Sequence, residues 1–179
     1  MRISVVRGDI TQQSVDAVVT AGNRSLRGGS GVNGAVHAAA GPRLLAASRA
    51  LAPCPPGQAV VTPAFDLATA RWVIHAVGPK YRGPQDAVTL ASAYTAALAR
   101  ADDVGARSVA FPSISTGVYG YPAVAAARVS VGALRGATTA VDTVLLVAFG
   151  GETAELWEQL LDGQWVGDPS ACLARDDFT

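Results

Sequence analysis

The stretch VVTAGNRSLRGGSGVNGAVHAAAG, residues 18–41, decides which fold the sequence predicts. An apolar strand ends there in a single amide, Asn23, and a turn with four glycines within residues 28–34 leads into a helix. Glycine allows positive φ and close approach of the backbone to a ligand, and the N–H groups at a helix start bind anions. The stretch therefore indicates either a phosphate-binding loop or a turn that only reverses the chain.

Apolar periodicity on either side of this stretch predicts alternating strands and helices. The predicted strands are residues 3–6, 16–20, 58–62, 72–77, 108–111 and 143–149, and the predicted helices are residues 32–40, 43–51, 86–101, 122–134 and 152–161. This alternation favours an α/β domain with a largely parallel sheet between helical layers. Strands 58–62 and 72–77 could pair with each other, which would make the sheet mixed.

A second glycine-bearing loop, PSISTGVYGYP at 112–122, also joins a predicted strand to a predicted helix. It offers hydroxyls and backbone N–H groups to an anion, and Tyr119 and Tyr121 could cover a sugar ring. The simpler interpretation is a surface turn with a structural tyrosine. Ligands of such sheets bind at the carboxyl ends of the strands, where both loops fall. Together, the two loops favour a site that holds a diphosphate from both sides.

Composition narrows the class of protein. A chain of 179 residues, half of them hydrophobic, suits one compact domain with a real core. The 14 basic residues balance the 14 acidic ones, which argues against a protein held to nucleic acid mainly by phosphate neutralisation. Residues 1–13 lack the apolar segment of a secretory signal, and no uncharged apolar run has membrane-spanning length, so we expect a cytoplasmic protein.

The cysteines and histidines suggest structural roles. Cys54 and Cys172 are far apart and form no metal-ligand pattern, so we expect both to be reduced and structural. His37 lies in a predicted helix and His75 in a predicted strand, and we expect each to be a hydrogen-bonded structural residue and not a catalytic base. Residues 163–179 turn polar and irregular, which predicts a loosely attached C-terminal tail.

Several segments resemble the macrodomain family, and most nearly its MacroD-type members. They are GDIT at 8–11, the strand-end Asn23, GGSGVNGAVH at 28–37, HAVGP at 75–79 and SISTGVYGYP at 113–122. The resemblance covers about residues 1–162. It implies a three-layer α/β/α domain with a mixed, largely parallel sheet of six or seven strands and a cleft for ADP-ribose. The implied partners are ADP-ribose and ADP-ribosylated proteins, with no cofactor or metal required.

The resemblance also implies roles for individual residues. Asp9 would accept a hydrogen bond from the adenine amino group, and Ile10 would contact the base through its backbone. Asn23 would bind hydroxyls of the distal ribose, which Tyr119 would shield, and Phe149 would pack near the adenine. The residues implied to bind the ligand are Asp9, Ile10, Asn23, Gly31, Val32, Asn33, Gly34, Ser115, Thr116, Gly117, Val118, Tyr119 and Phe149.

Three of these residues also have a simpler interpretation. Asp9 could cap a turn, as aspartate often does, and Asn23 could cap a helix or turn. An aromatic residue at the end of a buried strand, such as Phe149, is often part of the core.

Asn33 departs from the family at a functional position. Hydrolytic MacroD-type members usually carry an aspartate there, which is proposed to orient or activate the attacking water. An amide can position water but cannot take its proton at neutral pH. Two functions therefore remain open. One is a hydrolase that removes mono-ADP-ribose from acidic side chains or deacetylates O-acetyl-ADP-ribose, with Asn23 and Asn33 as catalytic residues. The other is a reader that binds ADP-ribose unchanged.

Overall fold

The structure is a computed structural model that describes residues 1–163. Its strands are β1 Arg2–Arg7, β2 Ala17–Gly22, β3 Ala59–Pro63, β4 Trp72–Val77, β5 Ser108–Phe111 and β6 Thr143–Ala148. Its helices are α1 Gly31–Ala40, α2 Pro42–Ala50, α3 Asp86–Asp103, α4 Ala123–Gly136 and α5 Gly151–Leu161, and a short 3-10 helix Ile10–Gln12 follows β1. Each predicted strand and helix is present, with ends that differ by at most two residues. The predicted tail beyond residue 163, including Cys172, lies outside the described residues.

The six strands form one sheet in the order β1-β6-β5-β2-β4-β3. Every pairing is parallel except that of β3 with β4, which is antiparallel. The predicted mixed, largely parallel sheet is therefore confirmed. Strand β2 lies between β5 and β4, which explains its run of β-branched residues that are buried on both faces.

Helices cover both faces of the sheet. Alternate residues of its central strands point to opposite sides, so each strand contributes to two cores. Val19 and Ile74 pack in one core with residues of α3, α4 and α5. Val18 and Val73 pack in a second core with residues of α1 and α2. These two cores make the domain a three-layer α/β/α sandwich. None of the helices within residues 1–163 combines the length and the apolar composition that a membrane-spanning helix needs.

The partly buried carboxylate of Asp16 aligns the central strands. Asp16 Oδ2 accepts hydrogen bonds from the N–H groups of Arg107 and Ser108 and from the Ser108 hydroxyl, each at 2.9 Å. These bonds, led by that of Arg107, hold the pKa of Asp16 below its ordinary value. Asp16 immediately precedes β2, and Ser108 begins β5. The amino ends of these two parallel strands are thereby aligned, and their carboxyl ends, with the two loops, lie together at the opposite edge of the sheet.

The histidines pack against each other beneath the glycine-rich turn. His75 is 1% exposed, and its Nε2 lies 3.0 Å from the Thr62 hydroxyl, as expected for a hydrogen-bonded structural residue. The ring of His37 lies 5.9 Å from that of His75, and both of its nitrogens are buried without a hydrogen-bond partner. The prediction of a hydrogen-bonded His37 is therefore wrong. Its ring lies beside His75 and Gly28, and neither residue forms a hydrogen bond with it.

Burial lowers the pKa of both rings. The pKa of His75 falls to about 3, chiefly by desolvation and also by the nearby His37. Desolvation lowers the pKa of His37 as well. Cys54 is buried and free, and burial raises the pKa of its thiol, which fits the structural role predicted for it.

His75 is expected to make stability fall on acidification. Its folded pKa lies below 6.5, the ordinary value for histidine, so the unfolded chain binds more protons below that pH. Between pH 7 and pH 5, His75 should remove about 2 kcal/mol from the free energy of unfolding. In His75→Gln, which can keep a hydrogen bond to Thr62, this part of the pH dependence should disappear. Urea unfolding of both proteins at the two pH values measures the difference, and equal pH dependence would contradict the assignment.

Candidate functional site

A cleft of about 470 Å³ opens at the carboxyl ends of β2, β5 and β6. Its walls come from the two glycine-bearing loops and from the end of β6 together with the first turn of α5. This is the edge of the sheet at which the sequence predicted a ligand.

Ten of the thirteen residues predicted to bind the ligand line this cleft. They are Asn23, Gly31, Val32, Asn33, Ser115, Thr116, Gly117, Val118, Tyr119 and Phe149. Gly34, Asp9 and Ile10 are not part of the lining.

Gly34 lies in the first turn of α1, behind the residues that line the cleft. A Cβ on Gly34 would collide with the carbonyl oxygen of Gly29, so this glycine lets the turn fold directly onto α1. Its N–H donates to the Ser30 carbonyl at 3.3 Å and closes the first turn of the helix. Gly29 and Ser30 line the cleft in its place.

Asp9 and Ile10 follow β1, next to the end of β6 after which Phe149 comes. Asp9 Oδ1 accepts from the N–H of Thr11 at 2.8 Å and from its hydroxyl at 2.7 Å, so Asp9 caps the 3-10 helix. This is the simpler interpretation offered by the sequence. Its exposed Oδ2 makes no hydrogen bond with any residue of the described chain. Ile10 is 4% exposed and packs in the core on the α1 side of the sheet.

The first loop is held by one carbonyl group, that of Arg27. Asn33 Nδ2 and Asn23 Nδ2 both donate to this oxygen, each at 3.0 Å. Asn33 Oδ1 in turn accepts from the Thr20 hydroxyl of β2 at 3.2 Å. The two amides therefore tie the loop to the centre of the sheet. Asn23 acts as the turn cap that the sequence allowed, while it also faces the cleft.

The capacity of each amide for a ligand follows from these bonds. An asparagine side chain has two N–H donors and two acceptor lone pairs. Asn23 Oδ1 accepts from the Ser25 hydroxyl at 2.9 Å and from the Arg27 N–H at 3.2 Å, which leaves Asn23 one donor. Asn33 is 6% exposed and keeps one donor and one acceptor. A single group that uses both remaining positions on Asn33 must both donate and accept a hydrogen bond, as water or a hydroxyl does.

The second loop is anchored from below by Tyr94. Its buried hydroxyl donates to the Pro112 carbonyl and accepts from the Ile114 N–H, both at 3.1 Å. Burial raises the pKa of Tyr94 to about 12, so the hydroxyl keeps its proton. Ser115 follows at φ +69°, and its buried Oγ has no hydrogen-bond partner among the described residues. Ser115 lines the cleft, while its Oγ is buried against Gly78.

The two tyrosines of the second loop have different roles. Tyr119 lines the cleft, as predicted, and Lys80 Nζ lies 5.7 Å from the centre of its ring. Tyr121 is 4% exposed and packs against Tyr81 with ring centres 4.8 Å apart. The expectation that Tyr121 covers a sugar ring is therefore wrong, because its side chain points into the core below the loop.

Phe149 is at the opposite end of the cleft and is 91% exposed, so its interpretation as a core residue is wrong. Val118 is 89% exposed on the facing loop. Gly78 and Thr153 are among the lining residues that were not predicted to bind the ligand. Gly78 lies so close to Ser115 that a Cβ would collide with its Oγ, and the GP pair that ends β4 is the sequence signal for it. Thr153 follows Phe149 in the first turn of α5.

The cleft carries no formal charge among the residues described. None of its lining residues is an aspartate, glutamate, histidine, cysteine, lysine or arginine. An anion bound there would be held by backbone N–H groups, hydroxyls and amides, because no lysine or arginine faces it. A general base would have to come from somewhere other than a carboxylate or imidazole of this lining.

Comparison with known proteins agrees with this geometry. The Macro domain family model matches residues 19–130. An O-acetyl-ADP-ribose deacetylase of Salmonella gallinarum is 48% identical over 95% of this chain and 98% of its own length. A macro domain-containing protein of Streptomyces coelicolor is 49% identical over 82% of this chain and 90% of its own.

Solved structures show the same fold. The Oceanobacillus iheyensis macrodomain with ADP superimposes with a TM-score of 0.84 at 34% identity, covering 90% of this chain and 88% of that one. The Trypanosoma brucei macrodomain in complex with ADP-ribose gives a TM-score of 0.81 at 35% identity, covering 89% and 68%. From the family model, the relatives and the fold, we conclude that this chain belongs to the Macro domain family.

Proposed function

We propose that this protein binds ADP-ribose in the cleft and hydrolyses ADP-ribosyl esters, namely O-acetyl-ADP-ribose and mono-ADP-ribosylated acidic side chains. The observation that carries the proposal is the position of Asn33. It faces the cleft with one free donor and one free acceptor, which suits a water molecule. The relatives named O-acetyl-ADP-ribose deacetylase and the neighbour bound to ADP-ribose support the same conclusion.

The two loops suit the diphosphate. Helix α1 begins without a side-chain cap from Ser30, so the N–H groups of Gly31 and Val32 are open to an anion at the positive end of the helix dipole. Residues 115–119 of the second loop form the other wall, and their backbone would hold the diphosphate from that side. The distal ribose would then lie beside Asn23 and Tyr119, and the adenine would extend towards Phe149 and the free oxygen of Asp9.

Catalysis would depend on position rather than on a protein base. Asn23 would donate its remaining N–H to a ribose hydroxyl, while Asn33 holds water against the ester. The water oxygen attacks the ester carbonyl carbon, and the bond from that carbon to the ribose oxygen breaks. A diphosphate oxygen of the substrate assists the transfer of the water proton, and the ribose oxygen leaves as a hydroxyl. Positioning of this kind can supply a large part of a rate enhancement.

One observation favours a different function. Among the described residues that line the cleft there is no carboxylate or imidazole, as would suit a reader that binds ADP-ribose and releases it unchanged.

Hydrolysis and binding should therefore be measured on one preparation. The substrates are O-acetyl-ADP-ribose and a protein mono-ADP-ribosylated on glutamate, with affinity for free ADP-ribose measured alongside. Release of ADP-ribose above the uncatalysed rate supports the hydrolase. Tight binding without release would show a reader.

Replacement of Asn23 by alanine tests its contact with the ribose. Asn23→Ala should lower kcat/KM by about 10- to 100-fold, since a misplaced reacting group is costly even when the fold is retained. The matched control is Ser25→Ala, which removes a hydrogen bond to Asn23 Oδ1 but leaves the amide in place. It should change kcat/KM by less than about threefold. Unchanged turnover in Asn23→Ala would refute the role, provided that circular dichroism shows a folded protein.

Replacement of Asn33 by aspartate separates its structural and chemical roles. The carboxylate can take a proton, so kcat should rise by at least about tenfold. It cannot donate to the Arg27 carbonyl, so the melting temperature should fall by about 2–8 °C. Asn33→Ala, with neither function, should lower both quantities. A fall in kcat for Asn33→Asp with the fold retained would mean that the cleft requires the amide itself.

A further inference from the structure

A second groove, of about 720 Å³, continues from the cleft. The two share Asn23, Gly78 and Tyr119, the residues that surround the proposed position of the distal ribose. We call it the basic groove, because Arg24, Lys80 and Arg82 line it.

Charge distinguishes the basic groove from the cleft. Its three cations are exposed, and the one carboxylate among its described residues, Asp86, accepts a hydrogen bond from the Arg82 N–H at 2.6 Å. The chain as a whole has a formal net charge of zero, and the cleft lining has no charged side chain. Positive charge is thus concentrated just beyond the reacting end of the cleft.

The position of the groove indicates what could enter it. If the proposed function is correct, the ester joins the distal ribose near Asn23 and Tyr119. A protein carrying that ester must then leave the cleft past these two residues, which is where the groove begins. An acetyl group, with two carbons, is too short to extend along it. The groove would therefore contact a protein substrate but not O-acetyl-ADP-ribose.

The walls favour a peptide over a nucleotide. Pro53, Pro56 and Pro79 give the groove a stiff, apolar wall without bulky side chains. A second nucleotide would gain most from aromatic rings on which to stack. Tyr119 is the one aromatic residue among the described groove residues, and it also faces the cleft.

We propose that the basic groove binds the acidic peptide segment that flanks an ADP-ribosylated glutamate or aspartate. This proposal rests on the proposed function for the placement of the ribose, and it names the class of protein substrate. Arg24 and Arg82 pair with carboxylates on either side of the modified residue, and Lys80 contributes from beside Tyr119. The groove selects substrates by sequence, while the cleft recognises the modification.

The test measures binding without turnover, so it does not depend on hydrolysis. The probes are two peptides in which ADP-ribose is joined to a glutamine side-chain nitrogen, a stable analogue of the glutamate ester. One peptide has glutamates on both sides of the modified residue, and the other has glutamines. The protein variants are Arg24→Gln/Arg82→Gln and a control with the same change in net charge, Arg2→Gln/Arg49→Gln, whose residues line neither pocket.

At low ionic strength the wild-type protein should bind the glutamate-flanked peptide about fivefold more tightly than the glutamine-flanked one, as expected for two or three exposed ion pairs. Arg24→Gln/Arg82→Gln should lose this preference, the control should keep it, and free ADP-ribose should bind all three proteins equally. Equal affinity for the two peptides in the wild-type protein would overturn the proposal. A preference that survives Arg24→Gln/Arg82→Gln would overturn it as well.

A dimer of ADP-ribose distinguishes the nucleotide alternative. If Arg24→Gln/Arg82→Gln weakens binding of the dimer while the two peptides bind alike, the groove holds a second nucleotide and the peptide proposal is wrong. The outcome for the proposed function is separate, because ester hydrolysis of O-acetyl-ADP-ribose does not involve the basic groove. A protein that shows the peptide preference without hydrolysis would be a reader with sequence selectivity.

Discussion

The carbonyl group of Arg27 is the constraint on which the site depends. It accepts hydrogen bonds from both candidate catalytic amides, Asn23 and Asn33, and Thr20 links the second of these to the central strand. Each hydrogen bond that holds the loop also uses a donor or an acceptor of an amide, which is then not available to a ligand. What remains is one donor on Asn23 and a donor and acceptor on Asn33, and this remainder sets the chemistry that the cleft can perform.

Charge is divided between two neighbouring regions of the surface. The cleft offers N–H groups, hydroxyls and amides and no charged side chain, so a diphosphate bound there would keep its own negative charge and could assist a proton transfer. The cations lie next to it in the basic groove. A balanced total charge, read from composition, conceals this division because it records neither position nor partner.

Much of the fold was predictable, because strand and helix periodicity and the glycine and proline positions act locally. The two loops could likewise be identified from their glycines and hydroxyls. Side-chain directions were less predictable. Tyr119 and Tyr121 are two residues apart in one loop, yet one faces the cleft and the other packs on Tyr81. His37 has no hydrogen-bond partner although one was expected, and Phe149 is exposed. Tertiary packing decides which neighbours each side chain contacts, and local sequence patterns do not record it.

In the proposed reaction, the side-chain amide of Asn33 positions the attacking water, and no protein base activates it. The most direct test is the pH dependence of kcat/KM for O-acetyl-ADP-ribose between pH 5 and pH 8. His75 has a pKa of about 3 and that of His37 is lowered, and neither lines the cleft. If no protein base takes part, the profile should show no inflection in that range. An inflection that belongs to the protein would reveal an ionising base and contradict the proposed reaction.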